Sequence, residues 1–275
     1  MPHWLVWPGL TLLGVGVGAY GTMIGAGGGF VLVPLLLFLY PHQPPELLTS
    51  ISLAVVFFNV LSGSAAYARQ RRVDFVAGNV FALASIPGAI AGALVVGYVP
   101  RHLFDVIFAL MLLAVSTFLT LRPAAQVVTN RNRHGLIERQ LTDAEGFTYH
   151  YAYNIYLGAF LSSLVGFVSG LLGTGGGVIH VPIMVQILLF PAHIATATSH
   201  YVLTISSLSG TSVHVLNGDL DGGYARTAAL GVGVLIGAQI GARLSRFLEG
   251  SHLIRLLAVA MALVAIRLLI GGLFG

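Results

Sequence analysis

The chain has 275 residues, of which 56% are hydrophobic and only 8% charged, and its mean hydropathy is +0.90. Soluble domains carry about a quarter charged residues, and a soluble fold this apolar would expose patches that such proteins keep small. A soluble enzyme, a nucleic-acid binder and a disordered scaffold are therefore excluded, and a membrane protein remains. The net charge is +4, every positive charge is arginine, and most of the 13 arginines lie between apolar stretches. That is the distribution of the positive-inside bias rather than of a nucleic-acid surface. Cysteine is absent, which removes disulfides, thiolate catalysis and cysteine metal sites. The start, Met1-Pro2-His3-Trp4, has neither a basic region nor a small-residue cleavage site, so a removed signal peptide is not expected.

Charge-free stretches delimit the expected spans, because a charge at mid-bilayer costs about 2.5–3.5 kcal/mol even on insertion scales. They are residues 5–39, 47–68, 76–98, 106–121, 154–218 and 227–242, followed by 252–274 with only Arg255 and Arg267. As one helix, 5–39 would reach about 52 Å against a hydrocarbon core of about 30 Å. It must break, and Gly25-Ala26-Gly27-Gly28-Gly29 is the place. Within 154–218 the corresponding break is Gly173-Thr174-Gly175-Gly176-Gly177.

These two runs belong to an internal repeat. Gly25 to Pro34 aligns with Gly173 to Pro182, Thr49-Ser50 with Thr198-Ser199, Gly88 to Ala93 with Gly237 to Ala242, and His102-Leu103 with His252-Leu253. Four ordered matches at offsets of 148 to 150 residues predict a tandem duplication: a first transmembrane repeat over 1–122, a cytoplasmic or interfacial linker over 123–153, and a second repeat over 154–275. The expected fold is an all-α polytopic membrane protein with about 8–10 membrane helices. Each repeat is a glycine-broken helical hairpin plus three transmembrane helices. A broken hairpin makes the number of crossings per repeat odd, whether its arms span fully or re-enter, so the repeats should be inverted. With the linker inside, Arg69, Arg71, Arg72, Arg243 and Arg246 also fall inside, as the charge rule requires. In the linker, Phe147, Tyr149, Tyr151 and Tyr153 alternate after the turn signal Asp143-Ala-Glu-Gly, which predicts a short hairpin. The linker reads otherwise as a solvated connector with no site of its own.

The glycine breaks carry the functional reading. Irregular backbone persists in hydrocarbon only where protein or a water-filled cavity satisfies it. A helix starting just after each break, near Gly28 or Gly176, would point unpaired N–H groups and its positive dipole end into the membrane, an anion site without a formal charge. Inverted repeats would bring two such tips together near the midplane, with a solvent-reachable hollow between them. Isolated Gly88 and Gly92 are instead expected to serve close helix packing. Candidate ligand groups are Gly27, Gly28, Gly29, Gly175, Gly176 and Gly177 through their backbone, with Thr49, Ser50, Asn59, Thr198, Ser199, His180 and His200 through their side chains. Hydroxyls, amides and imidazoles can hold an oxyanion without the burden of a buried cation. His180 replaces Leu32 of the first half, an asymmetry that suggests substrate orientation or proton linkage. No metal site, cofactor or nucleotide motif is indicated.

The doubled G-x-G-G-G-x-x-x-V-P, the Thr-Ser dipeptide after each copy and Pro87-Gly88-Ala89…Gly92 resemble the TauE/SafE family of membrane transporters, also called the 4-toluene sulfonate uptake permease family. The resemblance covers nearly the whole chain apart from the linker. It implies transport of organosulfonates, sulfite or related sulfur-containing anions across the cytoplasmic membrane of a prokaryotic cell. The second half has Ile236 where the first has Pro87. The expected function is a secondary transporter, no enzyme, with a small anion and the lipid bilayer as its partners. A passive anion channel is the nearest alternative, and an intramembrane hydrolase using His200 or His214 as base is a more distant one.

Overall fold

A computed structural model describes residues 3–121, 136–248 and, within 255–266, residues 255, 258–259 and 261–266. The remaining residues, including most of the unpaired linker segment and the His252-Leu253 match, lie outside the described residues. Nine α-helices and one β-hairpin are described: α1 (His3–Met23), α2 (Gly29–Leu39), α3 (Pro45–Arg69), α4 (Phe75–Val95), α5 (Arg101–Leu121), β1 (Leu136–Thr142), β2 (Thr148–Asn154), α6 (Ile155–Leu172), α7 (Gly177–Gln186), α8 (Ala192–Asn217) and α9 (Tyr224–Leu244). Helical segments over 45–69, 75–98, 155–172 and 224–247 are long and apolar enough to cross a membrane.

The start and stop signals are local. Pro44-Pro45 opens α3, where a missing N–H costs nothing. Asp74 caps α4 by accepting from the amides of Val76 and Ala77, and Asn154 caps α6 in the same way through Tyr156 and Leu157. The hairpin arms are unequal. α1 and α6 have 21 and 18 residues, whereas α2 and α7 have 11 and 10. At 1.5 Å per residue a short arm covers about 16 Å, roughly half the hydrocarbon core, so each hairpin pairs a long arm with one too short to cross that core alone.

The two halves interlock rather than stand side by side. α1 packs along α9 while α6 packs along α4, and α3 lies against α8, with the further pairs α4–α8 and α3–α9. Glycine makes the two long pairings possible. A Cβ on Gly88 would lie 2.0 Å from the Ser163 carbonyl oxygen of α6, and one on Gly237 would lie 2.2 Å from the Val15 carbonyl oxygen of α1. Gly88 and Gly92 therefore serve close packing, as expected. Opposite ends of α3 and α8 come together. Near the start of α3, Ser50 Oγ donates to the Asp219 carbonyl just beyond α8 (3.2 Å), while past the end of α3 the Asp74 amide donates to Thr198 Oγ1 near the start of α8 (3.0 Å). Gln70 Nε2, at the end of α3, reaches the Ala242 carbonyl near the end of α9 at 2.9 Å.

The expected hairpin is present, with Leu136 paired to Asn154 and Thr142 to Thr148. It is not a solvated connector. Asp143, Tyr151 and Tyr153 are buried, because the hairpin docks on the α3–α4 turn and on Phe190, as described below.

Candidate functional site

Each glycine run forms a corner at the end of its long arm. Gly25, Gly27 and Gly28 have φ of 82°, 73° and 81°, and Gly173, Gly175 and Gly176 have 67°, 76° and 79°. Only glycine adopts this left-handed sequence freely. Gly28 and Gly176 are the N-caps of α2 and α7, and neither helix receives a side-chain cap. In the first corner the amides of Gly25, Ala26 and Gly27 return to carbonyls of α1, but those of Gly28, Gly29 and Phe30 find no acceptor among the described residues. In the second corner Gly173 and Gly176 are satisfied, by the Ser169 carbonyl and by Thr174 Oγ1, while Gly177 and Val178 find no acceptor among the described residues. Two helix N-termini with unpaired amides are the result, each a locus of positive potential.

The corners touch. A Cβ on Gly29 would fall 2.5 Å from the Thr174 carbonyl oxygen, and one on Gly177 would fall 2.6 Å from the Gly25 carbonyl oxygen. No open hollow separates them in this conformation. All ten residues of the two runs are buried, and Val56, Val60 and Leu203 form an apolar septum against them. The expectation of a solvent-reachable space was wrong here, because the valines of α3 and the leucine of α8 fill the room that the absent glycine side chains leave.

Contacts equate α3 and α8 in a different register from the one the dipeptides suggest. Thr49 lies against Gly173 and Thr196 against Gly25; Gly63 faces His200 and Gly210 faces Leu53. The residues of α3 and α8 that take equivalent places in these contacts, Thr49 and Thr196, Leu53 and His200, Gly63 and Gly210, are 147 positions apart, not 149, so the structural counterpart of Thr49 is Thr196, and that of Ser52 is Ser199.

The candidate side chains fall into two groups. Those of the first half are already engaged. Asn59 Nδ2 donates to the Gly27 carbonyl (2.8 Å) while its Oδ1 accepts from Thr22 Oγ1 (3.0 Å), which fixes the first corner. Thr49 Oγ1 returns to the Glu46 carbonyl at 3.0 Å, and Ser50 Oγ bonds the Leu47 and Asp219 carbonyls. Ser52, a polar residue of the same span that was not among the candidate ligand groups, donates to the Gly173 carbonyl at 2.8 Å and fixes the second corner. Its signal was a hydroxyl one helical turn beyond Thr49.

Those of the second half are largely open. Thr198 is engaged with the Asp74 amide, but Ser199 Oγ, His180 Nδ1 and His200 Nε2 are buried without a partner among the described residues, as are Ser169 Oγ, Thr196 Oγ1 and Ser206 Oγ. Ser169 and Thr196 adjoin the glycine corners at Gly176 and Gly25. The other ring nitrogens of the histidines are held, His180 Nε2 with Ser162 Oγ (3.1 Å) and His200 Nδ1 at the Thr196 carbonyl (3.2 Å). His180 also meets the Phe81 ring edge, and His200 the ring of Tyr67. Buried polar atoms without partners are uncommon and ask for a reason. Among the described residues no group of three or more His, Cys, Asp or Glu could hold a metal ion.

Apolar spans, buried glycine corners and uncharged donors gathered at the centre are the equipment of a polytopic membrane transporter. The family model described as "Sulfite exporter TauE/SafE" matches residues 10–268, and the chain belongs to that family. It is 33% identical over 271 residues to the probable membrane transporter protein YunE of Bacillus subtilis, covering 96% of this chain and 98% of that protein. A probable membrane transporter protein of Methanocaldococcus jannaschii, MJ0441, is 23% identical over 97% of this chain and 96% of its own length. ORF9 of Sinorhizobium sp, also a probable membrane transporter protein, is 26% identical over 90% and 86%. No solved structure matches the chain.

Proposed function

We propose that the protein is a secondary transporter that moves a small sulfur-containing anion, an organosulfonate or sulfite, across the cytoplasmic membrane by alternating access. The single observation that carries this reading is the meeting of two helix N-termini, at Gly28–Phe30 and Gly177–Val178, whose amides lack acceptors. Anions bind where such amides converge, and the unpartnered Ser199, His180 and His200 atoms supply further neutral donors. Residues 1–122 and 154–275 are then inverted repeats on either side of the 123–153 linker. The exchange of partners between halves and the opposed ends of α3 and α8 support this arrangement. The conformation described is closed around the site, so substrate entry requires the septum of Val56, Val60 and Leu203 to part.

The test is a thermal-shift screen of the purified protein against sulfite, taurine, sulfoacetate, aryl sulfonates and matched carboxylates, since a ligand stabilises the state it binds in proportion to occupancy. Stabilisation by a sulfonate or sulfite and not by the carboxylates is expected. Saturable uptake with counterflow in proteoliposomes separates a carrier from a channel. The absence of any stabilising oxyanion would remove the reading.

A further inference from the structure

We propose that the β1–β2 hairpin is a latch that holds one face of the membrane domain shut, with Asp74 as its catch. Asp74 is 1% exposed, and its carboxylate joins elements from distant parts of the chain. Oδ1 caps α4 and also meets Arg139 Nη2 of β1 at 3.2 Å, while Oδ2 accepts from the Tyr151 hydroxyl of β2 at 2.7 Å. The amide of the same residue is held by Thr198 of α8. A second strap lies beside it: Arg72 faces Asp143 of the hairpin turn at 3.4 Å, and the Ala144 amide donates to the Gln70 carbonyl at 2.9 Å.

The hairpin grips both halves at once. The α3–α4 turn lies before the linker. Phe190, which receives the Tyr151 and Tyr153 rings at centroid distances of 4.8 and 4.7 Å, lies after it, between α7 and α8. A mere connector requires none of these contacts. They are also suited to being made and broken, because water takes back each polar group that a parted ion pair or hydrogen bond releases, so the net cost of opening is small. The far ends of α3 and α8 have a separate fastening, the Ser50 hydroxyl donating to the Asp219 carbonyl at 3.2 Å, while the Asp219 carboxylate is itself held by His214 Nδ1 of α8 at 2.8 Å. Opening at one face while the other stays shut therefore means releasing one fastening at a time. On the hairpin side the fastening acts on the α3–α4 turn, whose Asp74 amide is bonded to Thr198 at the start of α8; under this proposal, once the hairpin lets the turn move away from α8, the buried neighbour Ser199 becomes accessible.

Because the chain has no cysteine of its own, Ser199→Cys makes a single reporter that is buried in the closed state. Its reaction with a membrane-impermeant maleimide would be followed by peptide mass mapping in lipid nanodiscs. Arg139→Gln and Tyr151→Phe each take away one of the hairpin's bonds to Asp74 and leave the Asp74 cap on α4 intact. Each should speed labelling by about tenfold, the loss of one charge-assisted hydrogen bond to a buried group. Adding Gln70→Cys with Ala144→Cys and oxidising that pair should return the rate to the slow value, and reduction should restore it. Labelling at the parental rate in both variants, or equally fast labelling with the cross-link complete, would overturn the latch. Either outcome is independent of which anion binds.

Discussion

Alanine at Gly29 or Gly177 distinguishes touching corners from separate ones by the sign of its effect. Both positions open a helix, and neither has a positive φ. On propensity alone Gly→Ala stabilises such a site by about 0.5–1 kcal/mol. Here the new methyl of Gly29→Ala would fall 2.5 Å from the Thr174 carbonyl oxygen, with the Thr174 carbonyl carbon and Cα at 2.7 and 2.8 Å. Ordinary contact begins at 3.4 Å, so the opposing backbone must withdraw by the difference, about 0.9 Å. The atoms in the way are main chain and cannot rotate aside. Gly177→Ala meets the Gly25 carbonyl oxygen and Ala26 at 2.6 to 2.8 Å. Overpacking of a filled interior costs about 1–3 kcal/mol, so each variant should lose about 1–2 kcal/mol net, a melting temperature lower by about 2–4 °C per kcal/mol. Gly16→Ala is the control, since nothing lies within 4 Å of its Cβ position, and it should be neutral or stabilising. Thermal unfolding in one detergent under one scan rate compares the three. If Gly29→Ala and Gly177→Ala raise the melting temperature as Gly16→Ala does, the corners do not abut and the central site is wrongly built.

Other expectations follow from the same contacts. Asn59→Leu leaves the Gly27 carbonyl and the Thr22 hydroxyl without their partner and should destabilise by about 1–2 kcal/mol, between the membrane and aqueous ranges for such bonds; unaltered melting would show that Asn59 does not hold the corner. Ser199→Ala removes a hydroxyl with no partner among the described residues, so melting should stay within about 0.5 kcal/mol of the parent while the stabilising effect of the anion weakens about five- to tenfold in concentration; unchanged anion response would take Ser199 out of the site. The hairpin should undock in alkali. Burial raises the Tyr149 and Tyr151 hydroxyls above their ordinary 10 and raises Tyr153 to about 12. Groups raised on folding contribute stability that is complete below pH 10 and is lost as the pH climbs from there through the folded values. Limited proteolysis of the hairpin should accelerate over that interval, and protease resistance constant up to pH 12 would refute the assignment.

The parts of the fold that were legible in the sequence are those set by local chemistry. Overlong apolar stretches had to break, the glycine runs supplied the breaks, and alternating aromatics after Asp143-Ala-Glu-Gly marked the hairpin. Long-range packing was not legible. The Thr-Ser dipeptides suggested a 149-residue offset in α3 and α8, whereas contact between helices selects 147. Two residues turn a helix by about 200°, so the slip moves Thr198 from the counterpart of Thr49 to the neighbourhood of Asp74. Ser50 likewise looked like a ligand but binds the Asp219 carbonyl at the far end of α8, a partner 169 positions away that no local pattern announces. The septum was invisible for a similar reason: Val56, Val60 and Leu203 are ordinary residues of apolar helices until the glycine corners are placed against them.

In the proposed duplication the two halves share the order of a long arm, a glycine corner and a short arm but have different side-chain duties. In the first half the polar groups at the centre are satisfied internally, with Asn59 and Ser52 pinning the two corners through the Gly27 and Gly173 carbonyls. In the second half the positions that match them in the contact register, Ser206 and Ser199, have hydroxyls with no partner among the described residues, and the same holds for one ring nitrogen each of His180 and His200. An unmade hydrogen bond in a buried site costs stability, so open groups concentrated in one half are a burden that symmetric packing would have spared. The proposed transport assigns them a use. One half furnishes the rigid frame that keeps both helix N-termini in register, and the other furnishes donors that remain available to a solute. The halves then contribute unequally to binding, and alanine substitution at Ser199 or His200 should weaken the anion while substitution at Ser52 should weaken the fold. Equal loss of anion affinity from both sides, with melting unchanged, would return the site to a symmetric one and dissolve this division of labour.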